Sequence, residues 1–138
     1  MKNEIIRELG GFVARHRYAR ISSRKARLIA DAIRGRHVNE ALDILELMPQ
    51  RGAAFFKKVV LSAVANASQD EQVDVNDLFV QDARADDGPM LNNRLRYRPG
   101  PQGRAMPYAK KTAHLTVIVV PYGVTTNAQE DEAEAANA

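Results

Sequence analysis

One stretch, RLRYRPGPQGRAMPYAKK at residues 94–111, limits what this chain can fold into more than any other. It holds six basic residues, no acidic residue, three prolines and two glycines. Proline removes a backbone donor and fixes φ, which excludes a helix and the middle of a regular sheet. The six charges exclude a core. The stretch lies between two segments that do read as strands, LFVQDARADDGP and AKKTAHLTVIVVP. In the first, Leu78, Val80, Asp82 and Arg84 alternate with Phe79, Gln81 and Ala83. In the second, His114, Thr116, Ile118 and Val120 alternate with Leu115, Val117 and Val119, and β-branched residues dominate. The stretch is therefore the outer part of a hairpin. Placing Asp86 opposite Lys110 puts the midpoint near Arg98, Pro99 and Gly100, with PGPQG as the tip. Each arm then runs about 30 Å past Gly88 at about 3.3 Å per residue. So long a hairpin cannot be buried against a domain of this size. It must project and be ordered by an outside scaffold.

Charge is segregated along the 138 residues. Residues 1–36 carry ten Lys and Arg against three acids, and residues 84–111 carry seven against two. Residues 37–83 carry three against eight, and residues 112–138 none against four. The blocks are +7, +5, −5 and −4, which sum to the formal net charge of +3. Concentrated like charge repels itself, so two basic blocks point to a polyanionic partner. In the arm the arginines, Arg94 included, offer forked donors to phosphate oxygens. Arg96, Tyr97, Arg98 and Tyr108 offer planes on which unpaired bases can stack.

The remaining segments supply a core. FVARHRYARI alternates as a short strand, with Phe12, Ala14, His16, Tyr18 and Arg20 on one side and Val13, Arg15, Arg17 and Ala19 on the other. ISSRKARLIADAIRG reads as a helix, capped by Ser22 or Ser23 and ended by Gly35. Ala26, Ile29 and Ile33 form its apolar stripe, widened by Leu28 and Ala32, while Arg24, Arg27, Asp31 and Arg34 recur on a face suited to phosphates. VNEALDILELMP is a short acidic helix with Asn39 as its cap and Pro49 as its stop. RGAAFFKKVVLSAVANASQ is the central core helix, with one narrow polar strip of Lys58, Ser62, Asn66 and Gln69. SQDEQVDVND is a polar connector. Residues 1–10 read as a flexible extension, residues 11–121 as a single domain whose hairpin spans 84–114, and residues 122–138 as an acidic disordered tail.

Several chemistries are excluded. No cysteine is present, so there is no disulfide framework or thiolate metal site, which fits a reducing, cytoplasmic compartment. No segment reads as a secretory signal, and the longest strongly apolar run, LTVIVV, is too short to span a bilayer. His16, His37 and His114 show no metal-ligand spacing. DARADDG resembles the start of a calcium loop, but it lacks the terminal glutamate and runs into Pro89. Neither a phosphate-binding loop nor a nucleophile elbow occurs. No enzyme and no cofactor are expected. A nucleic-acid-binding protein is the favoured class. The competing readings are a DNA-binding module that uses the basic helix at residues 22–34, and a protein–protein adaptor that docks through the hairpin.

The ordered set RHRYARISSRKARLIADAIRGRHVNEALDIL, KKVVLSAVANA, DDGP, GRA and KKTAHLTVIVV resembles the large-subunit ribosomal protein L twenty-two family over residues 15–120. The resemblance implies an α+β domain, three helices on a small antiparallel sheet of three strands, with a long protruding β-hairpin. It implies binding to large-subunit ribosomal RNA, a role in subunit assembly, and a hairpin lining the nascent-peptide exit tunnel. The partners implied are that RNA, neighbouring large-subunit proteins and the nascent polypeptide. Carried onto this chain, the RNA-binding positions are Arg15, His16, Tyr18, Arg20, Arg24, Lys25 and Arg27, then Arg104, Lys110, Lys111 and His114. The tunnel-lining tip comprises Met90, Leu91, Asn92, Asn93, Arg94, Leu95, Arg96, Tyr97 and Arg98, with Pro99 and Gly100 beginning the closing loop. The chain departs from the family pattern in three places. The segment between DDGP and GRA is a few residues longer, with Asn92-Asn93 where members often carry Lys-Arg. Met106-Pro107 stands where charge is common, and the acidic tail is additional.

Overall fold

The computed structural model describes residues 11–71 and 73–122. In chain order the elements are β1 (Phe12–Ala19), α1 (Ser23–Ile33), α2 (Val38–Leu47), α3 (Arg51–Ala67), β2 (Leu78–Met90), β3 (Arg96–Pro99), β4 (Ala105–Tyr108) and β5 (Lys111–Pro121). The last strand is the middle of an antiparallel sheet ordered β1–β5–β2. This central strand does not alternate in burial: six consecutive residues of β5, 115–120, are buried. Leu115, Val117 and Val119 join the main core; Ile118 and Val120 are buried on the opposite face.

The helices cover one face of this sheet. α1 lies over β2, α3 lies over β1 and β5, and α2 packs on α3. Their buried stripes interlock: Ala26, Ile29, Ala30 and Ile33 from α1, Ala41 and Leu45 from α2, and Phe56, Val60 and Ala63 from α3. The architecture is the α+β arrangement expected, with three helices on a three-stranded antiparallel sheet and a hairpin beyond it. Both sheet edges are engaged. Asn66 Nδ2 donates to Val13 O at 3.2 Å on the β1 side. On the β2 side, Gly35 N–H donates to Val80 O and Val80 N–H to Arg36 O, each at 2.9 Å.

Several local expectations are corrected. α2 starts at Val38 with His37 as its cap, so Asn39 lies inside the helix. Ser22 holds the cap position of α1 but makes no side-chain cap bond. Ser23 is buried and its hydroxyl donates to the Asp87 carboxylate, so α1 is fixed by its contact with β2. Gly35, at φ +79°, does turn the chain out of α1. α3 ends at Ala67, before Gln69, and its solvent face includes Ala54, Leu61 and Ala65, so it is broader than a narrow polar strip. In the connector, Val73 and Val75 pack against the core.

The alternation expected of β1 breaks. A bulge between His16 and Ala19 places Tyr18 at φ +58°. Ala19 thereby turns inward opposite Ala113, and Tyr18 is left 59% exposed. The hairpin register differs too. Asp86 pairs with His114 rather than Lys110, and the bulges between Val80 and Asp82 and between Asp87 and Met90 each shift the register by one residue.

Beyond Met90 the arm is a separate two-stranded ladder. Arg96, Tyr97, Arg98 and Pro99 pair with Tyr108, Pro107, Met106 and Ala105. Short strands therefore form despite the prolines, and the apex falls on the turn Pro101–Gly103. Gly100 N–H donates to Arg104 O at 2.7 Å across this turn. The apex thus lies within PGPQG, as expected, while Met90 to Gly100, expected to line the tip, lead up to it as the outgoing arm. The link between body and arm passes through Asn92 and Asn93, both in the left-handed region at φ +57° and +52°. Asparagine tolerates that conformation better than other residues with a side chain. Tyr122 N–H donates to Asp77 O at 2.9 Å, so Tyr122 belongs to the folded domain rather than the tail. The extension at 1–10 and the tail from 123 lie outside the described residues.

Candidate nucleic-acid interface

The sequence-predicted cations divide by what holds them. On β1, Arg15 stands on the face of the sheet opposite the helices, paired with Thr116, which in turn pairs with Arg84 of β2. Arg17 and Arg20 are exposed. His16 faces the helices, half-buried, with its ring 5.7 Å from that of Phe55 in an edge-to-face contact. It is a packing residue first. Tyr18 and His114 act as a pair. The Tyr18 N–H donates to His114 Nδ1 at 3.1 Å, and the rings meet edge to face at 4.8 Å. The bulge makes this contact possible by turning Tyr18 to the outer face.

The basic face of α1 proves to be largely a clamp on β2. Arg27 Nε donates to Ala85 O at 3.1 Å, and its guanidinium lies 3.6 Å from Asp87. Arg34 donates to Ala83 O at 2.6 Å and pairs with Asp31 at 2.8 Å. The expectation of a free stripe of arginines fails at these two positions, because helix and strand cross where carbonyls and carboxylates are within reach. Arg24 and Lys25, one turn earlier, point to solvent. Asp87 feels the same crossing. The Ser23 hydroxyl, then the charges of Arg27 and Lys111, hold its carboxyl below the usual range.

A cleft opens where these parts meet. It is bounded by the β1–α1 turn, the start of α3 and the base of the arm, with a volume of about 460 Å³. Arg20, Lys25, Arg51, Lys110 and Lys111 surround it, Ile21, Leu28 and Ile29 form its apolar floor, and among the described residues no acidic one lines it. Arg51 was missed in the sequence. It begins α3 inside the block of net negative charge, and only the fold carries it to the cations of the other two blocks. Its guanidinium lies 5.7 Å from the Phe55 ring, on the same ring that His16 touches.

The arm carries Arg94, Arg96, Tyr97, Arg98 and Arg104, all exposed, and from residue 92 to 107 no side chain is buried. Two of the planes expected to stack on bases are already engaged with each other. The Arg98 guanidinium lies 4.4 Å from the Tyr108 ring centroid, diagonal across the ladder. Tyr97 is the open aromatic face on this arm. Among the described residues no group of side chains has the make-up of a metal site, and no helix is long and apolar enough to cross a membrane.

Residues 14–120 match the model of a family described as ribosomal protein L22p/L17e. Two curated proteins named large ribosomal subunit protein uL22 are similar along most of their length. The one from Desulfotalea psychrophila is 47% identical over 103 residues, covering 75% of this chain and 91% of the relative. The one from Caldicellulosiruptor saccharolyticus is 46% identical over 103 residues, covering 75% and 82%.

Proposed function

This chain belongs to the ribosomal protein L22p/L17e family, and on that premise we propose that it grips large-subunit ribosomal RNA with β1, the start of α1 and the base of the arm. It is a structural constituent of the large ribosomal subunit, not an enzyme, and its partners are that RNA and neighbouring large-subunit proteins. The proposal extends to the arm. With no buried side chain of its own, the arm is ordered between RNA segments, supports assembly of the subunit, and brings Tyr97, Pro99, Gly100 and the apex at Pro101–Gly103 to the nascent polypeptide in the exit tunnel.

The observation that carries the RNA reading is the convergence of cations from distant parts of the chain. Arg20, Lys25, Arg51, Lys110 and Lys111 gather around one cleft, and among the described residues no acidic one lines it. Gathered like charges repel one another, and a polyanion removes that cost. Arg104 and the other arm arginines continue the positive surface outward.

A binding titration across salt concentrations tests it, with large-subunit ribosomal RNA, unrelated RNA and duplex DNA as ligands. The intact chain is compared with one lacking residues 90–103. The intact chain should prefer ribosomal RNA and lose affinity steeply with salt, by a slope of about −0.7 to −0.9 per phosphate contact. The shortened chain should keep the salt slope of the body and lose the preference. Equal weak binding to all three ligands would overturn the reading.

A further inference from the structure

We propose that the cleft between α1, α3 and the base of the arm seats a single unpaired nucleotide of the bound RNA, with its base on the floor of Ile21, Leu28 and Ile29 and its flanking phosphates on the surrounding cations. This rests on the RNA-binding reading and specifies what one part of that surface recognises. The volume of about 460 Å³ falls within the range of about 300–1,000 Å³ usual for small-ligand sites. It suits one nucleotide.

The chemistry of the lining is divided in the way a nucleotide is divided. A duplex offers phosphates outside and keeps its bases stacked, so it would satisfy the cations and leave the apolar floor facing water. An extruded nucleotide offers a flat, weakly hydrated base with a phosphate on either side. The cations here stand on different sides of the floor. Arg20 and Lys25 come from the β1–α1 region, Arg51 from α3, and Lys110 and Lys111 from the arm. The opening turns of α1 and α3 also border the cleft, and neither has a side-chain cap, so free backbone N–H groups add to the positive potential.

The floor is built and held. Leu28 is 73% exposed on a helix whose other large apolar side chains, Ile29 and Ile33, are buried. Gly52 lets the start of α3 approach Ile21 and Ile29, since a Cβ there would come within 2.5 Å and 2.6 Å of their terminal methyls. The floor therefore stays level instead of being pushed up into the cleft.

The experiment is photocrosslinking within assembled large subunits, with a photoreactive phenylalanine analogue replacing Leu28 in one sample and Tyr97 in another. Mass spectrometry identifies what each position attaches to, and chemical probing of the same subunits reports which nucleotides are unpaired. The expected result is attachment of position 28 to one unpaired nucleotide of the ribosomal RNA. Attachment to a paired nucleotide, a free mononucleotide or a neighbouring protein overturns the proposal, as does no attachment while position 97 still reaches RNA. If neither position reaches RNA, the RNA-binding reading itself fails. Leu28→Ala gives a second readout in the binding titration. It should lower affinity for ribosomal RNA about tenfold, the scale of one base contact, with an unchanged salt slope. Lys25→Ala should reduce that slope by about one phosphate contact. A Leu28→Ala chain that binds as tightly as the parent overturns the proposal.

Discussion

The body and the arm of this molecule are held together by different physics. In the body, three helices and a sheet bury Phe56, Ile29, Ile33, Leu115, Val117 and their neighbours in one cluster. In the arm, residues 92–107 bury nothing, and order comes from a short ladder, a closed turn, two left-handed asparagines and one cation–ring contact. The body is held by a buried core; the arm is held by its own backbone ladder and turn. A chain with both can remain stable in solution and still be shaped by what it binds.

The comparison is broken most severely from the core. Phe56→Ala removes the largest fully buried side chain and should cost about 3–5 kcal/mol in a urea melt. Deleting residues 94–108 should move the same melt by less than about 0.5 kcal/mol, the scale of surface changes. Comparable losses would mean that the arm is part of the core. Gly88→Ala probes the junction. Its new methyl would meet Thr112 Oγ1 at 2.5 Å and Thr112 backbone atoms at 3.1 Å, so a loss of about 1–3 kcal/mol is expected. Gly88 keeps β2 and β5 in close approach.

Acid should distinguish the two regions more gently. The Asp87 carboxyl is depressed in the folded chain, first by Ser23, then by Arg27 and Lys111. Its contribution is therefore present above the unfolded value of about 3.9 and is lost as pH falls through that value toward the folded one. Glu46, lowered by its hydrogen bond to and charge from Lys57, acts with the same sign between α2 and α3. Asp87→Asn should flatten the fall of the urea midpoint between neutral pH and pH ~3, while leaving the share due to Glu46. An equally steep fall would remove Asp87 from the account. The smallest effect belongs to the arm. Arg98→Ala should cost about 0.5–1 kcal/mol locally, seen as faster amide exchange in β3 and β4 with an unchanged global melt.

How much of this was legible in the sequence follows the same division. The elements of the body could be read, because apolar spacing in IADAIRG and the β-branched run in LTVIVV report burial directly. The inner end of α1 at Gly35 was legible for its positive φ. The bulge at Tyr18 was not, since FVARHRYARI alternates without interruption and only the need to bury Ala19 opposite Ala113 selects the break. The register of the hairpin was missed by four residues. The bulge within Val80 to Asp82 accounts for one of them at most, and it leaves no local signature because Gln81 is polar and faces water. The candidate site was legible in its two basic blocks, and not in Arg51, nor in the diversion of Arg27 and Arg34 onto β2. Those depend on which elements cross, and crossing is set by the whole fold.

The central place of β5 also carries a consequence for how the chain is made. β1 begins at Phe12 and finds its partner at Val119, so a growing polypeptide cannot zip up its sheet until more than a hundred residues have been synthesised. Until then β1 and β2 have no strand to join them, and the arm, with its arginines, is already out. Contacts so distant along the chain are slow to close. The order of synthesis thus presents the arginine-rich segment to its surroundings before the body that will anchor it has taken shape.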